Sequence, residues 1–142
     1  MHQCAFPVLD LSLANDFDAM ARAVDQVDAF LEQHELGQRC VYVTRLALDE
    51  ILSNIIQYAY AQPGGRTISL RVELLDKELR LTFTDDGRPF DPLQVPPPDL
   101  ESSLEDRPVG GLGIHMIRDM SKEMRYCRDD QHNVLQVLVP VE

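Results

Sequence analysis

A chain of 142 residues, 44% of them hydrophobic, can bury one core without disulfide or metal support, so a single domain over residues 1–142 is the expectation. A formal charge of -11 with no run of Lys and Arg argues against nucleic acid or an anionic membrane as partner, since phosphate-rich surfaces reward clustered cations. The opening MHQCAFPVLDLSLANDF has no basic region leading into an apolar run, and no segment approaches the roughly 18 apolar residues of a membrane span, which predicts a cytoplasmic protein.

In chain order, VLDL near residue 8 is short and β-prone. LANDFDAMARAVDQVDAFLEQHELG then sets Phe17, Met20, Ala21, Val24, Val27, Phe30 and Leu31 on one helical stripe and stops at Gly37. A second helix is predicted from about Arg39 to Tyr60, with Val43, Leu46, Ala47, Ile51, Ile55, Tyr58 and Ala59 at spacings of three and four, ended by PGG. TISLRVELL and ELRLTFT alternate with period two and flank a DK turn, which reads as an antiparallel hairpin. TDDGRPFDP follows, and then LQVPPPDLESSLEDRPVGG, a proline-rich stretch with no sustained period; a lid over about 91–110 is the expectation, because long irregular segments in compact domains are usually functional. LGIHMIRDMS is a short helix, and EMRYCR and NVLQVLV are strands joined by the turn DDQHN. The order predicts an α+β two-layer sandwich, a mixed, mostly antiparallel sheet covered on one face by helices.

Cys4, Cys40 and Cys127 are far apart and form no C-x-x-C, and His2, His34, His115 and His132 are scattered, so no metal held by thiols or imidazoles is expected. Three polar features stand out instead. Glu50 and Asn54 are four apart, hence on one helix face, and border the apolar stripe. They lie either at its wet margin or beside a cation and phosphates, natural partners for side-chain oxygens. Gly110, Gly111 and Gly113, just ahead of a helix, are either a hinge or a backbone cradle for an anion. Asp85 and Asp86 could be turn acid alone.

Taken together, DEILSNIIQYAY, FTDDGRPFDP and RPVGGLGIHMIRDM, in this order, resemble the three nucleotide-binding boxes of the GHKL (Bergerat-fold) ATP-binding superfamily. DDGRPFDP and GGLGIHMI are most similar to stand-alone bacterial anti-sigma-factor serine/threonine kinases. The resemblance implies ATP and Mg2+ as cofactors. It implies that Asp85 accepts the adenine amino hydrogen with Gly87 leaving room for the base, and that Asp86 faces the other way as an ordinary turn acid. Asn54 would ligate Mg2+, Glu50 would be the catalytic base, and the backbone of Gly110, Gly111, Leu112 and Gly113 would cradle the phosphates. The implied partners are a small single-domain anti-sigma-factor antagonist and a sigma factor or other regulator, with a homodimer a compatible assembly. The alternative is an ATP-dependent partner-switching module without phosphoryl transfer. Pro89 departs from the broader D-x-G-x-G pattern, and no lysine stands ready for the γ-phosphate, leaving Arg88 or Arg107 as substitutes.

Overall fold

The computed structural model describes residues 6–94 and 111–141. Most of the expected lid, with Pro96 to Pro98, Arg107 and Gly110, lies outside the described residues, as do His2 and Cys4. The elements are β1 (Val8–Ala14), α1 (Phe17–Gln33), α2 (Gln38–Asn54) running into a π-helical turn (Ile55–Ala59), β2 (Thr67–Leu74), β3 (Glu78–Asp85), a 3-10 turn (Pro92–Gln94), α3 (Gly111–Met120), β4 (Glu123–Asp129) and β5 (His132–Pro140).

One sheet of order β1-β2-β3-β5-β4 carries all five strands, and every pairing is antiparallel. The expected mixed sheet is thus antiparallel throughout, and the chain path explains why. Two helices between β1 and β2 bring the chain back reversed. The connection from β3 through α3 returns β4 in the direction of β3, but the β4-β5 hairpin places β5 between them. That hairpin closes on Asp130 and Gln131, both with positive φ (44° and 70°), the two-residue turn whose twist suits paired strands.

Helix α1 starts where Asp16 Oδ1 accepts the Ala19 N–H at 2.7 Å, an N-cap that satisfies one orphan donor. It ends at Gln33 rather than near Gly37, because the chain turns at Glu35 (φ 55°); Gly37 instead precedes the first residue of α2. Val24, Val27, Phe30 and Leu31 are buried as the stripe predicts, whereas Phe17 and Ala21 are exposed. Small Ala19 and Ala23 hold the inward positions, which turns the larger residues of the first turns outward.

Helix α2 is buried more broadly: Cys40, Val43, Thr44, Ala47, Leu48, Ile51 and Leu52 all lie in the core, because it packs against α1, α3 and β5. The sheet supplies the facing rows Ile68, Leu70 and Val72 on β2, Leu79, Leu81 and Phe83 on β3, and Leu135, Val137 and Val139 on β5. Its other face is polar, with Arg80 reaching both carboxylate oxygens of Glu73 at 2.9 and 3.0 Å and holding that carboxyl below the usual glutamate range. No helix among the described residues is long and apolar enough to cross a membrane. Leu48→Ala, at a fully buried site, should cost about 2–5 kcal/mol in urea denaturation, while Phe17→Ala should stay within about 0.5 kcal/mol of the parent chain.

Candidate functional site

The inward rows of β3 and β5 are apolar until they reach the same end of the sheet. There β3 continues the row Leu79, Leu81, Phe83 with Asp85, and β5 opens its row with Asn133. The register pairs Asp85 with Asn133, so a carboxylate only 3% exposed meets an amide only 4% exposed. Asn133 Nδ2 donates to Asp85 Oδ1 at 3.0 Å and to the Arg88 carbonyl at 2.8 Å. Asn133 Oδ1 accepts from the Tyr126 hydroxyl and from the Phe90 N–H. Asp85 Oδ1 also accepts the Gly87 N–H at 2.9 Å. Burial pushes the Asp85 carboxyl above the ordinary aspartate range, and the two hydrogen bonds to its ionised form oppose that push.

The loop after β3 is fastened to the end of the second helix. A helix leaves its last carbonyls unpaired, and here the loop supplies the donors: Arg88 N–H to the Ala59 carbonyl at 2.9 Å, and Arg88 Nε to the Tyr58 carbonyl. Gly87 permits this approach, since a Cβ there would run into the Ala59 carbonyl and Cβ. Arg88, a candidate for the γ-phosphate, therefore spends its Nε on a helix terminus.

Asp86 does face away from Asp85, but it is more than an ordinary turn acid. Its carboxylate pairs with Arg66 and accepts from the Tyr60 hydroxyl at 2.8 Å, while its N–H donates to the same hydroxyl at 3.1 Å. Arg66 and Tyr60 together hold the Asp86 carboxyl below the usual aspartate range. The reason is topological: the residue after the π turn, the residue before β2 and the residue after β3 all reach one point.

Glu50 and Asn54 sit on α2 one turn apart. Asn54 is 7% exposed, caps no backbone N–H and makes no side-chain hydrogen bond among the described residues. The helix widens into its π turn directly after Asn54, a local irregularity common at functional positions; the expected single helix to Tyr60 is thus α-helical only to Asn54. Asn54 and Asp85 line one cleft together with Ile51, Phe90, Tyr126 and Asn133. Half-buried Glu50 has its carboxyl pushed above the ordinary glutamate range, first by burial and then by Asp49. Helix α3 begins at Gly111, exposes Leu112, and brings Gly113 against Glu50 so closely that a Cβ there would overlap the Glu50 side chain.

Sequence reasoning missed Asn133, Tyr126, Arg128 and Tyr60. Arg128 donates to the Gly87 carbonyl at 2.8 Å, and Tyr126 and Arg128 occupy alternate β4 positions facing Leu135 and Asn133. A signal was present: the alternation Asn133, Leu135, Val137, Val139 puts the asparagine on the buried face, which no turn reading of DDQHN requires.

Residues 13–138 match the family described as the histidine kinase-like ATPase domain. The chain belongs to this family. Among curated relatives of this ATPase domain, the serine/threonine-protein kinase BtrW of Bordetella bronchiseptica is 32% identical over 97 residues, 68% of each chain. The serine-protein kinase RsbW of Bacillus thuringiensis is 28% identical over 95 residues, which are 64% of this chain and 59% of that relative's length. The crystal structure of the RsbU and RsbW domains of a Mycobacterium tuberculosis protein superposes with a TM-score of 0.67 at 15% identity, covering 94% of this chain and 32% of that one, a likeness of fold.

Within this histidine kinase-like ATPase domain the two glycines respond differently to a methyl group. Gly113→Ala should cost the parent chain less than Gly87→Ala does, because the flexible Glu50 side chain can give way, and should stabilise a Glu50→Ala background by about 0.5–1 kcal/mol, because the obstructing side chain is gone and alanine is the better helix former. Gly87→Ala meets backbone and should be destabilising in the parent chain. Urea denaturation of the four Gly113/Glu50 combinations and of Gly87→Ala checks this.

Proposed function

We propose that the protein is an ATP-dependent serine/threonine kinase of the anti-sigma-factor type. In this reading it phosphorylates a small single-domain anti-sigma-factor antagonist and sequesters a sigma factor or similar regulator, as one domain in the cytoplasm. The observation that carries the reading is convergence. Two segments remote in sequence come against neighbouring turns of α2: Asn54 and Asp85 line one cleft, and Glu50, one turn before Asn54, lies against Gly113. The names of BtrW and RsbW, each a serine or serine/threonine kinase, support the choice of acceptor.

Each residue then has a task its surroundings suit. Asp85 has Oδ1 engaged by Gly87 and Asn133, which leaves Oδ2 to accept the adenine amino hydrogen at the closed end of the cleft. Gly87 keeps the loop close to Ala59 and gives its N–H to Asp85 Oδ1, so its role is in seating the loop that carries Asp85. The Asn54 side chain lines the cleft and has no hydrogen-bond partner among the described residues, which fits a hard cation that takes oxygen ligands. In this reading Asn54 would hold Mg2+ together with the ATP phosphates. Such an ion would supply neutralisation of phosphate charge. Gly110, Gly111, Leu112 and Gly113 would offer backbone N–H groups to the phosphates at the start of α3. Glu50 would take the serine hydroxyl proton as the serine oxygen bonds to the γ-phosphorus and the bond to the ADP oxygen breaks.

Incubation with labelled ATP and candidate small single-domain proteins, read by mass spectrometry, tests the whole. Asp85→Asn should weaken ATP at least about tenfold by calorimetry, because one charge-assisted hydrogen bond is lost. Glu50→Gln should leave Mg-ATP affinity within about threefold while slowing transfer roughly a hundredfold, and Asn54→Ala should lower both. Glu50 must be ionised to act, and burial pushes its pKa up, so transfer should fall as pH drops through a value above the ordinary glutamate range. Glu50→Gln should lack that limb. Absence of transfer with ATP still altering partner affinity would favour the partner-switching module.

A further inference from the structure

Asn133 lines the cleft beside Asp85, and the proposed mechanism gives it no contact with the nucleotide. An asparagine side chain has two amide hydrogens to donate and two acceptor lone pairs. All four are engaged here: the hydrogens by Asp85 Oδ1 and the Arg88 carbonyl, the lone pairs by the Tyr126 hydroxyl and the Phe90 N–H. Rotating the amide by half a turn would set its oxygen against the Asp85 carboxylate and the Arg88 carbonyl, acceptor against acceptor, so the surroundings dictate one orientation. A side chain saturated in this way has no hydrogen bond left for a ligand. What it can do is hold its neighbour.

We infer that Asn133 is the positioning residue for nucleotide preference, keeping Asp85 turned with Oδ2 to the ligand and acting as an acceptor, so that the site selects a purine carrying an amino group over one carrying a carbonyl. The inference rests on the adenine reading of Asp85 given above. Two consequences of the geometry carry it. First, with Oδ1 held from two sides by Gly87 and Asn133, the carboxylate cannot swing about its Cβ–Cγ bond. Second, a buried carboxyl keeps its ionised form only while donors face it. The charged and titratable groups around Asp85 are Asp86 in its own loop, which opposes ionisation, Arg128 on β4, which favours it, and Tyr126 and Tyr60, which are neutral at pH 7. Asn133 supplies the strongest of the influences favouring the ionised state. Without it only the Gly87 N–H holds Oδ1, so the carboxyl is less firmly oriented and more readily protonated, and a protonated carboxyl donates as well as accepts, which suits a purine carbonyl.

The test is calorimetric binding of three nucleotides by the full chain: ATP, inosine triphosphate, which has a carbonyl in place of the amino group, and purine riboside triphosphate, which has neither. The parent chain should prefer ATP over purine riboside triphosphate by about tenfold or more, the scale of one hydrogen bond to a charged group. In Asn133→Ala that ratio should fall to about threefold or less, and inosine triphosphate should gain relative to ATP. Tyr126→Phe removes only the hydroxyl that holds Asn133 Oδ1 and should give an intermediate ratio. A role confined to stability would weaken all three nucleotides together and leave the ratios unchanged; that result in Asn133→Ala overturns the inference, and if this variant does not fold, an unchanged ratio in Tyr126→Phe overturns it. A parent chain that binds ATP and purine riboside triphosphate equally would instead bring down the adenine reading, and the inference with it.

Discussion

The antiparallel register between β3 and β5 is the constraint on which the site depends. It sets Asp85 opposite Asn133 at the end of two apolar rows, where a carboxylate is removed from water and survives only because donors surround it. A slip of one residue in β3 would turn Asp85 to the polar face and bring Thr84 into the core, and a slip in β5 would do the same with Asn133 and Val134. The buried rows Leu79, Leu81, Phe83 and Leu135, Val137, Val139 forbid that shift, so the hydrophobic core is what aims the polar groups. Stability and site geometry are here consequences of the same pairing.

The second support is the end of α2. Its terminal carbonyls need donors, the loop after β3 has N–H groups to give, and Gly87 lets the two come together. The Tyr60–Asp86–Arg66 contacts fix the same loop from its outer side. Asn54 and Asp85, which come from different elements, are thereby held in one frame rather than on independent loops. The π turn between Asn54 and this junction adjusts the helix so that Ile55, Ile56 and Ala59 are all buried while the chain leaves toward β2.

Much of this arrangement was legible in the sequence, because its signals are local. Period-two alternation located the strands, the three-and-four spacing located both long helices, and the polar residues that interrupted those patterns, Glu50, Asn54 and Asp85, are the ones that reach the cleft or its edge. The missed parts depend on partners far along the chain. Asp86 reads as turn acid until Arg66 and Tyr60 are seen beside it, across 20 and 26 residues. Asn133 lay in a string of turn formers, and only the inward face of β5 distinguishes it. The buried face of α1 is rotated away from Phe17 and Ala21, and periodicity gives a face but not its rotation when small Ala19 and Ala23 lie at its centre. The widening of α2 after Asn54 left no readable mark, since Ile55 to Ala59 are as compatible with an α-helix.

The overall charge of -11 looks unfavourable for a nucleotide, yet the field in a cleft is set by what lines it. Most of the acid on α1 and in the turns faces water, where salt screens it within about 8–10 Å. Burial pushes both the Asp85 carboxyl in the cleft and the Glu50 carboxyl at its edge above their ordinary ranges, but their surroundings differ. Asp85 is given donors that favour its ionised form, whereas Glu50 lies against Gly113 under a burial that favours its protonated form. In the proposed reading this division matches the tasks: a permanent acceptor for a base, and a carboxylate with enough proton affinity to take a hydroxyl proton. Gly113 links the second task to phosphate binding, because the same backbone that would face the phosphates is the surface on which Glu50 rests. Movement of α3 would therefore shift the base and the phosphate cradle together, which ties the chemistry of transfer to the state of the helix that follows residues 95–110.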